Sequence, residues 1–192
     1  TRTWDQAMES PDHGTHLFLQ LPAGVDAPSI RARVDGLFRV RASRPLRRTL
    51  RFLDTFEWNL WFAGWLVYRC GNEAALAPRS GGWIGSPAAL TDATDLPSRF
   101  PREWAPGVLR DTVAPIAGLR AVTPVATVTM SERTLDMLDA ESKTVVRLDL
   151  ILVYRSEAAR TPLLRLARFR PLRGYPEEAA QAVAVVRELG GS

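Results

Sequence analysis

Six arginines fall within thirteen residues: Arg39, Arg41, Arg44, Arg47, Arg48 and Arg51. A guanidinium group offers a planar fork of donors that matches phosphate oxygens, so such a run suits a phosphate-binding surface. If the segment is extended, Arg39 and Arg41 share a face, as do Arg47 and Arg51. The competing reading is a solvated outer face. Arg133 and Arg147 join the candidate polyanion set, which is Arg39, Arg41, Arg44, Arg48, Arg51, Arg133 and Arg147. Arg133 and Lys143 also read as plain surface charges flanking a turn at Asp139. A later group, Arg165, Arg168, Arg170 and Arg173, either extends the patch, serves a neighbouring domain or is solvated; solvation is the favoured expectation.

Other chemistries find little support. His13-x-x-His16 lacks further Cys or His partners for zinc, and with only 2 histidines a triad on Ser131, Ser142 or Ser156 is disfavoured. No Gly-x-x-x-x-Gly-Lys loop is present, which excludes a P-loop. Cys70 is the only cysteine, so no internal disulfide can form. No catalytic or metal-ligating residue and no cofactor is assigned. Trp58, Trp61 and Trp65 are expected in the core rather than stacked on nucleobases, so nucleic acid is a disfavoured partner. The net charge of +4 points to anionic partners, and 46% hydrophobic with 24% charged residues is the balance of a folded globular chain. No apolar run reaches the roughly 20 residues of a membrane span, and no signal peptide is visible, so a cytoplasmic location is expected.

These residues must be positioned by a chain that alternates short strands and few helices. Residues 1–15 read as a polar lead-in. His16–Leu21 is a candidate strand, Pro28–Leu37 a helix capped by Asp26, and Phe38–Ala42 and Arg47–Leu53 are strands separated by Pro45. Phe56–Phe62 suggests one helical turn, Trp65–Cys70 a buried strand and Glu73–Ala77 its hairpin partner. Gly, Pro, Ser and Asp make the stretch from Pro78 to Pro101 a loop, with a helix expected from Pro101 to Ala114. Val122–Leu138, Lys143–Tyr154 and Leu163–Arg170 are long strand candidates, the first two joined by a turn at Asp139-Ala140-Glu141-Ser142. Val145, Leu148, Leu150, Leu152 and Tyr154 nearly alternate, the mark of a sheet with one face buried. Pro176–Leu189 is a closing helix, with Gly190 after its end. No repeat or linker is visible, and the expected fold is α+β, mainly antiparallel β.

Phe52-Leu53-Asp54-Thr55, then Leu60 and Ala63-Gly64-Trp65-Leu66, resembles a signature of the CYTH family. There an aromatic strand ends in Asp-Thr, a short helix follows and Ala-Gly leads into an Arg-rich strand. Leu119–Leu138, Asp139–Leu150 and Arg170-Pro171-Leu172-Arg173-Gly174-Tyr175 are similar to the CYTH-like domain found before CHAD domains in bacterial proteins. The resemblance spans residues 16–190 and rests on order and spacing. It implies an antiparallel β-tunnel or barrel with a few flanking helices, and a CHAD domain outside this sequence.

Active members line that tunnel with Arg and Lys for triphosphate and with acidic residues for Mg²⁺ or Mn²⁺. Here the Glu-x-Glu-x-Lys of the first strand is replaced by His16-Leu17-Phe18-Leu19-Gln20-Leu21. The expected Arg-x-Arg falls on Tyr68 and Cys70, with Arg69 on the opposite face. Of the late acidic residues only Asp149 is evident. The resemblance therefore implies a catalytically degenerate domain that binds polyphosphate or another phosphate-rich polyanion. One alternative is a non-binding scaffold that serves only protein–protein contact, its tunnel filled by apolar side chains including Leu17, Leu19 and Leu21. Another is a residual triphosphatase using Glu57, Glu73, Asp136 or Asp149.

Overall fold

The computed structural model describes residues 17–80, 89–92, 96 and 98–190. The lead-in, His13 and His16 lie outside the described residues. The fold is α+β, mainly antiparallel sheet with α-helices at four places among the described residues. No described helix is long and apolar enough to cross a membrane. The chain divides into two compact units, one formed by residues up to Arg47 and from Met130 onward, the other by Arg48–Thr129.

In the first unit, β1 (Leu17–Gln20), β2 (Arg39–Ala42), β7 (Thr123–Leu138, from Met130 on), β8 (Thr144–Tyr154) and β9 (Leu164–Pro171) form a sheet in the order β2-β7-β8-β9-β1. Leu19, Leu135, Met137, Leu148, Leu150, Ala167 and Phe169 are buried beneath α1 (Ala27–Val34) and α4 (Pro176–Arg187), against Ile30, Val34, Ala182 and Val186. Each fully buried Leu or Ile side chain contributes about 1.5–3 kcal/mol, so this face is the stabilising one. The near-alternation of β8 is thereby explained. Alternation turns Arg147 and Asp149 to the other face.

α1 starts where expected because Asp26 accepts from the Ser29 backbone N–H at 2.9 Å while the Asp26 N–H donates to Ser29 Oγ at 2.8 Å. Pro28 lies in the first turn. Asp26→Ala is expected to cost about 1 kcal/mol, seen as a melting point roughly 2–4 °C lower in thermal denaturation. The β7–β8 turn is held by the Lys143 N–H donating to Asp139 Oδ1 at 2.8 Å, with Ser142 at φ 64°.

In the second unit, β3 (Leu46–Asp54, from Arg48 on), β4 (Trp65–Cys70), β5 (Glu73–Pro78) and β6 (Ala89–Asp92) form an antiparallel meander. One face, with Val67, Ala74 and Leu76, packs on Leu109, Val113 and Ala117 of α3 (Val108–Ala117). The opposite face carries Leu50, Phe52, Tyr68 and Cys70, in register across β3 and β4.

Several expectations change here. The helix expected over Pro101–Ala114 is a 3₁₀ turn, Pro101–Glu103, followed by α3. Pro106 disfavours helical backbone in the residue before it, and Gly107, at φ 155°, resets the chain direction. Part of the expected 78–101 loop is β6, recruited by pairing with β5 rather than by its own propensity. Trp58 and Trp61 are not core. α2 (Asn59–Phe62) is a single turn that buries only Leu60, leaving both indoles exposed.

Candidate functional site

Among the described residues, the densest charge network lies on the polar face of the first unit's sheet. Alternation along β7 places Glu132, Thr134 and Asp136 on that face, opposite the buried Leu135 and Met137. The β8–β9 register sets Arg147 against Arg170 and Asp149 against Arg168. Asp136 and Asp149 organise the group.

Asp149 is fully buried and accepts from both neighbours on β9. Arg170 approaches with Nε on Oδ2 at 2.7 Å and Nη2 on Oδ1 at 2.8 Å, a bidentate fork. Arg168 donates from Nε to Oδ2 at 2.9 Å and from Nη2 to Glu132 Oε1 at 2.7 Å. The Thr134 hydroxyl donates to Oδ1 at 2.7 Å. Burial alone pushes the Asp149 carboxyl up, but the Arg170 and Thr134 hydrogen bonds and the two guanidinium charges outweigh it and hold the group below its ordinary value. Arg170 is raised above its own ordinary value, chiefly by its hydrogen bonds to Asp149.

Asp136 is the second node. Arg41 donates to its Oδ2 from Nη2 at 2.9 Å, and Arg147 Nε lies 3.3 Å from Oδ1. Arg41 and Asp136 are direct partners in the β2–β7 register, which explains the meeting.

The sequence candidates separate on this frame. Arg41 and Arg147 converge on Asp136. Arg39 lies two positions along β2 from Arg41 and donates to Ser142 Oγ at 3.2 Å. Arg44 is exposed in the segment after β2. By alternation Arg133 projects away from Glu132 and Thr134, and its Nε is buried without a hydrogen-bond partner. Arg48 and Arg51 belong to the second unit, where Arg51 stands opposite Arg69. Arg168 and Arg170, expected to be solvated, are instead the most tightly held arginines of the face. Glu132 and Thr134 were not expected at all. Their signal was the period-two run Glu132-x-Thr134-x-Asp136, visible only once Asp149 and Arg168-x-Arg170 are placed on neighbouring strands.

The first strand also departs from expectation. Leu19 and Leu21 are buried in the helix-covered core and Leu17 packs against it, so they do not fill the polar face. Phe18, the register partner of Arg168, is the residue that alternation puts on that side. In the second unit, Asp54 and Thr55 are buried and hold backbone N–H groups of α2, so this pair serves the helix start rather than a ligand.

A hard divalent cation wants carboxylates that are free to coordinate it. Glu132, Asp136 and Asp149 are each already bound by guanidinium groups, and no cluster of three acidic, His or Cys side chains suited to a metal occurs among the described residues. The donor set does not fit Mg²⁺ or Mn²⁺.

No family model and no curated protein matches the chain. Among solved structures, a candidate adenylate cyclase from Vibrio parahaemolyticus is similar at 9% identity and TM-score 0.47, covering 94% of this chain and 91% of that one. A candidate adenylate cyclase from Bacillus halodurans is similar at 9% identity and TM-score 0.48, with 93% and 90% covered. A candidate adenylyl cyclase from Hippeastrum, described as having a dominant triphosphatase activity, is similar at 14% identity and TM-score 0.45, with 91% and 87% covered. At these identities and TM-scores the likenesses carry no argument about what this chain does.

Proposed function

We propose that this chain is a CYTH-like, non-catalytic domain that binds a phosphate-rich polyanion, such as polyphosphate, on the polar face of its first unit. The reading is carried by one observation: Arg41, Arg147, Arg168 and Arg170 share a face where they outnumber Glu132, Asp136 and Asp149. Arg39 continues the row along β2. The carboxylates fix the guanidinium rotamers, so an incoming phosphate orders fewer long side chains as it binds. Each Arg has five N–H donors, and Arg170 uses Nε and Nη2 on Asp149. Carboxylates committed to arginine argue against metal-assisted hydrolysis. A cytoplasmic setting and a CHAD domain as partner belong to the same reading.

The test is titration of the protein with polyphosphate at low and moderate salt, with and without Mg²⁺, while phosphate release is followed. Salt-sensitive binding without release is expected. Arg41→Gln/Arg147→Gln removes two exposed charges and is expected to weaken binding about tenfold, close to 1.4 kcal/mol. Because exposed ion pairs contribute roughly 0–1 kcal/mol, its melting point should move little. Unchanged affinity would remove Arg41 and Arg147 from the site. Phosphate release dependent on Mg²⁺ would overturn the non-catalytic reading.

A further inference from the structure

The second unit exposes a concentrated aromatic surface where α2 begins. Phe56 is 91% exposed, Phe62 77%, Trp58 45% and Trp61 40%. Trp61 and Phe62 are the last two residues of α2, and Trp58 is the residue immediately before its start. Beside them Glu57 pairs with Arg120 at 3.0 Å, both side chains about half exposed, and the Arg79 guanidinium lies 4.9 Å from the centre of the Trp61 ring. Leu119, next to Arg120, is 75% exposed.

Scattered apolar residues on a surface need no explanation, but a group of this size does. Trp58 adds a second, independent observation. Its backbone is left-handed, φ 61° and ψ 35°, a conformation unfavourable for a bulky residue. Backbone strain of this kind persists only where the surrounding structure holds it, and it clusters at functional sites.

We infer that this surface is a two-fold interface between copies of this chain. The occupant is indicated by charge and by area. Glu57 and Arg120 sit together, so the patch carries both signs. A two-fold axis lets Glu57 of each copy meet Arg120 of the other, satisfying both pairs with one contact type. A wholly anionic partner, such as an acidic lipid surface, would leave Glu57 facing like charge. The exposed parts of the four aromatics and Leu119 amount to roughly 600 Å², using 150–250 Å² for a whole aromatic side chain. A standard interface takes about 800 Å² from each partner, so the aromatic centre with its charged rim is of the right order. The proposal is independent of the polyanion reading, which concerns the other unit.

The test is sedimentation equilibrium of the whole chain up to roughly 100 µM, where a micromolar dimer is mostly associated. A monomer–dimer equilibrium is expected, and Phe56→Ser/Phe62→Ser should weaken it at least tenfold while circular dichroism stays unchanged. Glu57→Arg and Arg120→Glu should each weaken self-association. Mixing the Glu57→Arg chain with the Arg120→Glu chain should restore a dimer, because the exchanged pairs again have opposite sign. A wild-type chain monomeric throughout overturns the inference, as does a dimer indifferent to the Phe substitutions. Failure of the mixture to associate overturns the exchange of Glu57 and Arg120. A monomer that co-sediments with anionic vesicles assigns the surface to lipid instead.

Discussion

Asp149→Ala is expected to destabilise the protein by about 3 kcal/mol, the lower end of the range for removing one partner of a buried ion pair. The carboxylate is 0% exposed, whereas the Arg168 and Arg170 side chains are 13% and 31% exposed. Water can therefore partly solvate the guanidinium groups once Asp149 is gone, which keeps the loss below the extreme. For a chain of 192 residues this corresponds to a melting point lower by roughly 6–12 °C. Asp149→Asn keeps one carbonyl acceptor but no charge, and its cost should fall between wild type and Ala. Inorganic phosphate should raise the melting point of Asp149→Ala more than that of wild type, because an anion can replace the missing charge. A loss below about 1 kcal/mol would show that Asp149 does not hold the two arginines in place.

The pH dependence has a defined sign. Asp149 is held below its ordinary value in the folded state, so unfolding lets it bind protons more readily. Its contribution is present in full above the unfolded carboxylate value of about 3.9 and is lost as pH falls through the folded one. Wild type should therefore lose stability more steeply than Asp149→Ala on acidification below about pH 5. Urea titrations across that range read the difference.

Much of the fold was legible because hydrophobic period and turn chemistry agreed with the final pairing. The strand at Trp65–Cys70, the hairpin around Asp139 and the helix begun by Pro176 are local facts, visible in apolar spacing and in Pro, Asp or Gly at the ends. β6 was not legible, because Ala89–Asp92 becomes a strand only through β5. Pro106-Gly107 is a break signal inside the expected Pro101–Ala114 helix, and the structure breaks there. Trp58 and Trp61 misled because hydrophobicity says nothing about which way a one-turn helix faces.

The site was legible as a chemistry and poorly legible as a place. Arginine richness pointed to phosphate-binding chemistry, but which arginines meet depends on register across strands far apart in sequence. Arg41 finds Asp136 and Arg168 finds Asp149 through β2–β7 and β8–β9 pairing. A one-residue slip in either pairing would send the partners to opposite faces. Arg48 and Arg51, close to Arg41 in sequence, fall in the other unit. Proximity along the chain was therefore the weaker guide, and the spacing Arg168-x-Arg170 across from Asp149 the stronger one.

Asp54→Ala should show the second large effect, about 2–4 kcal/mol, and by a different mechanism. Asp54 Oδ1 accepts the N–H groups of Thr55 at 2.7 Å and Leu60 at 2.9 Å, while Oδ2 accepts that of Trp61 at 3.0 Å. The first N–H groups of a helix have no intrahelical partner, and a buried one left unsatisfied costs about 1–3 kcal/mol. α2 is a single turn, too short to hold itself together, so its shape depends on this carboxylate. Thr55 Oγ1 accepts the Asn59 N–H at 3.0 Å as a separate support, and Thr55→Ala should cost less, about 1 kcal/mol. Asp54→Asn keeps one oxygen acceptor and turns the other position into a donor, so it should retain only part of the stability. Because Asp54 acts on the second unit alone, Asp54→Ala should leave polyphosphate affinity unchanged below its melting transition. Self-association should weaken with it, since Trp58, Trp61 and Phe62 are presented by the turn that Asp54 holds. Thermal denaturation and sedimentation on the same variant separate these effects. A stable Asp54→Ala protein with intact self-association would show that α2 is held by the packing of Leu60 rather than by its cap.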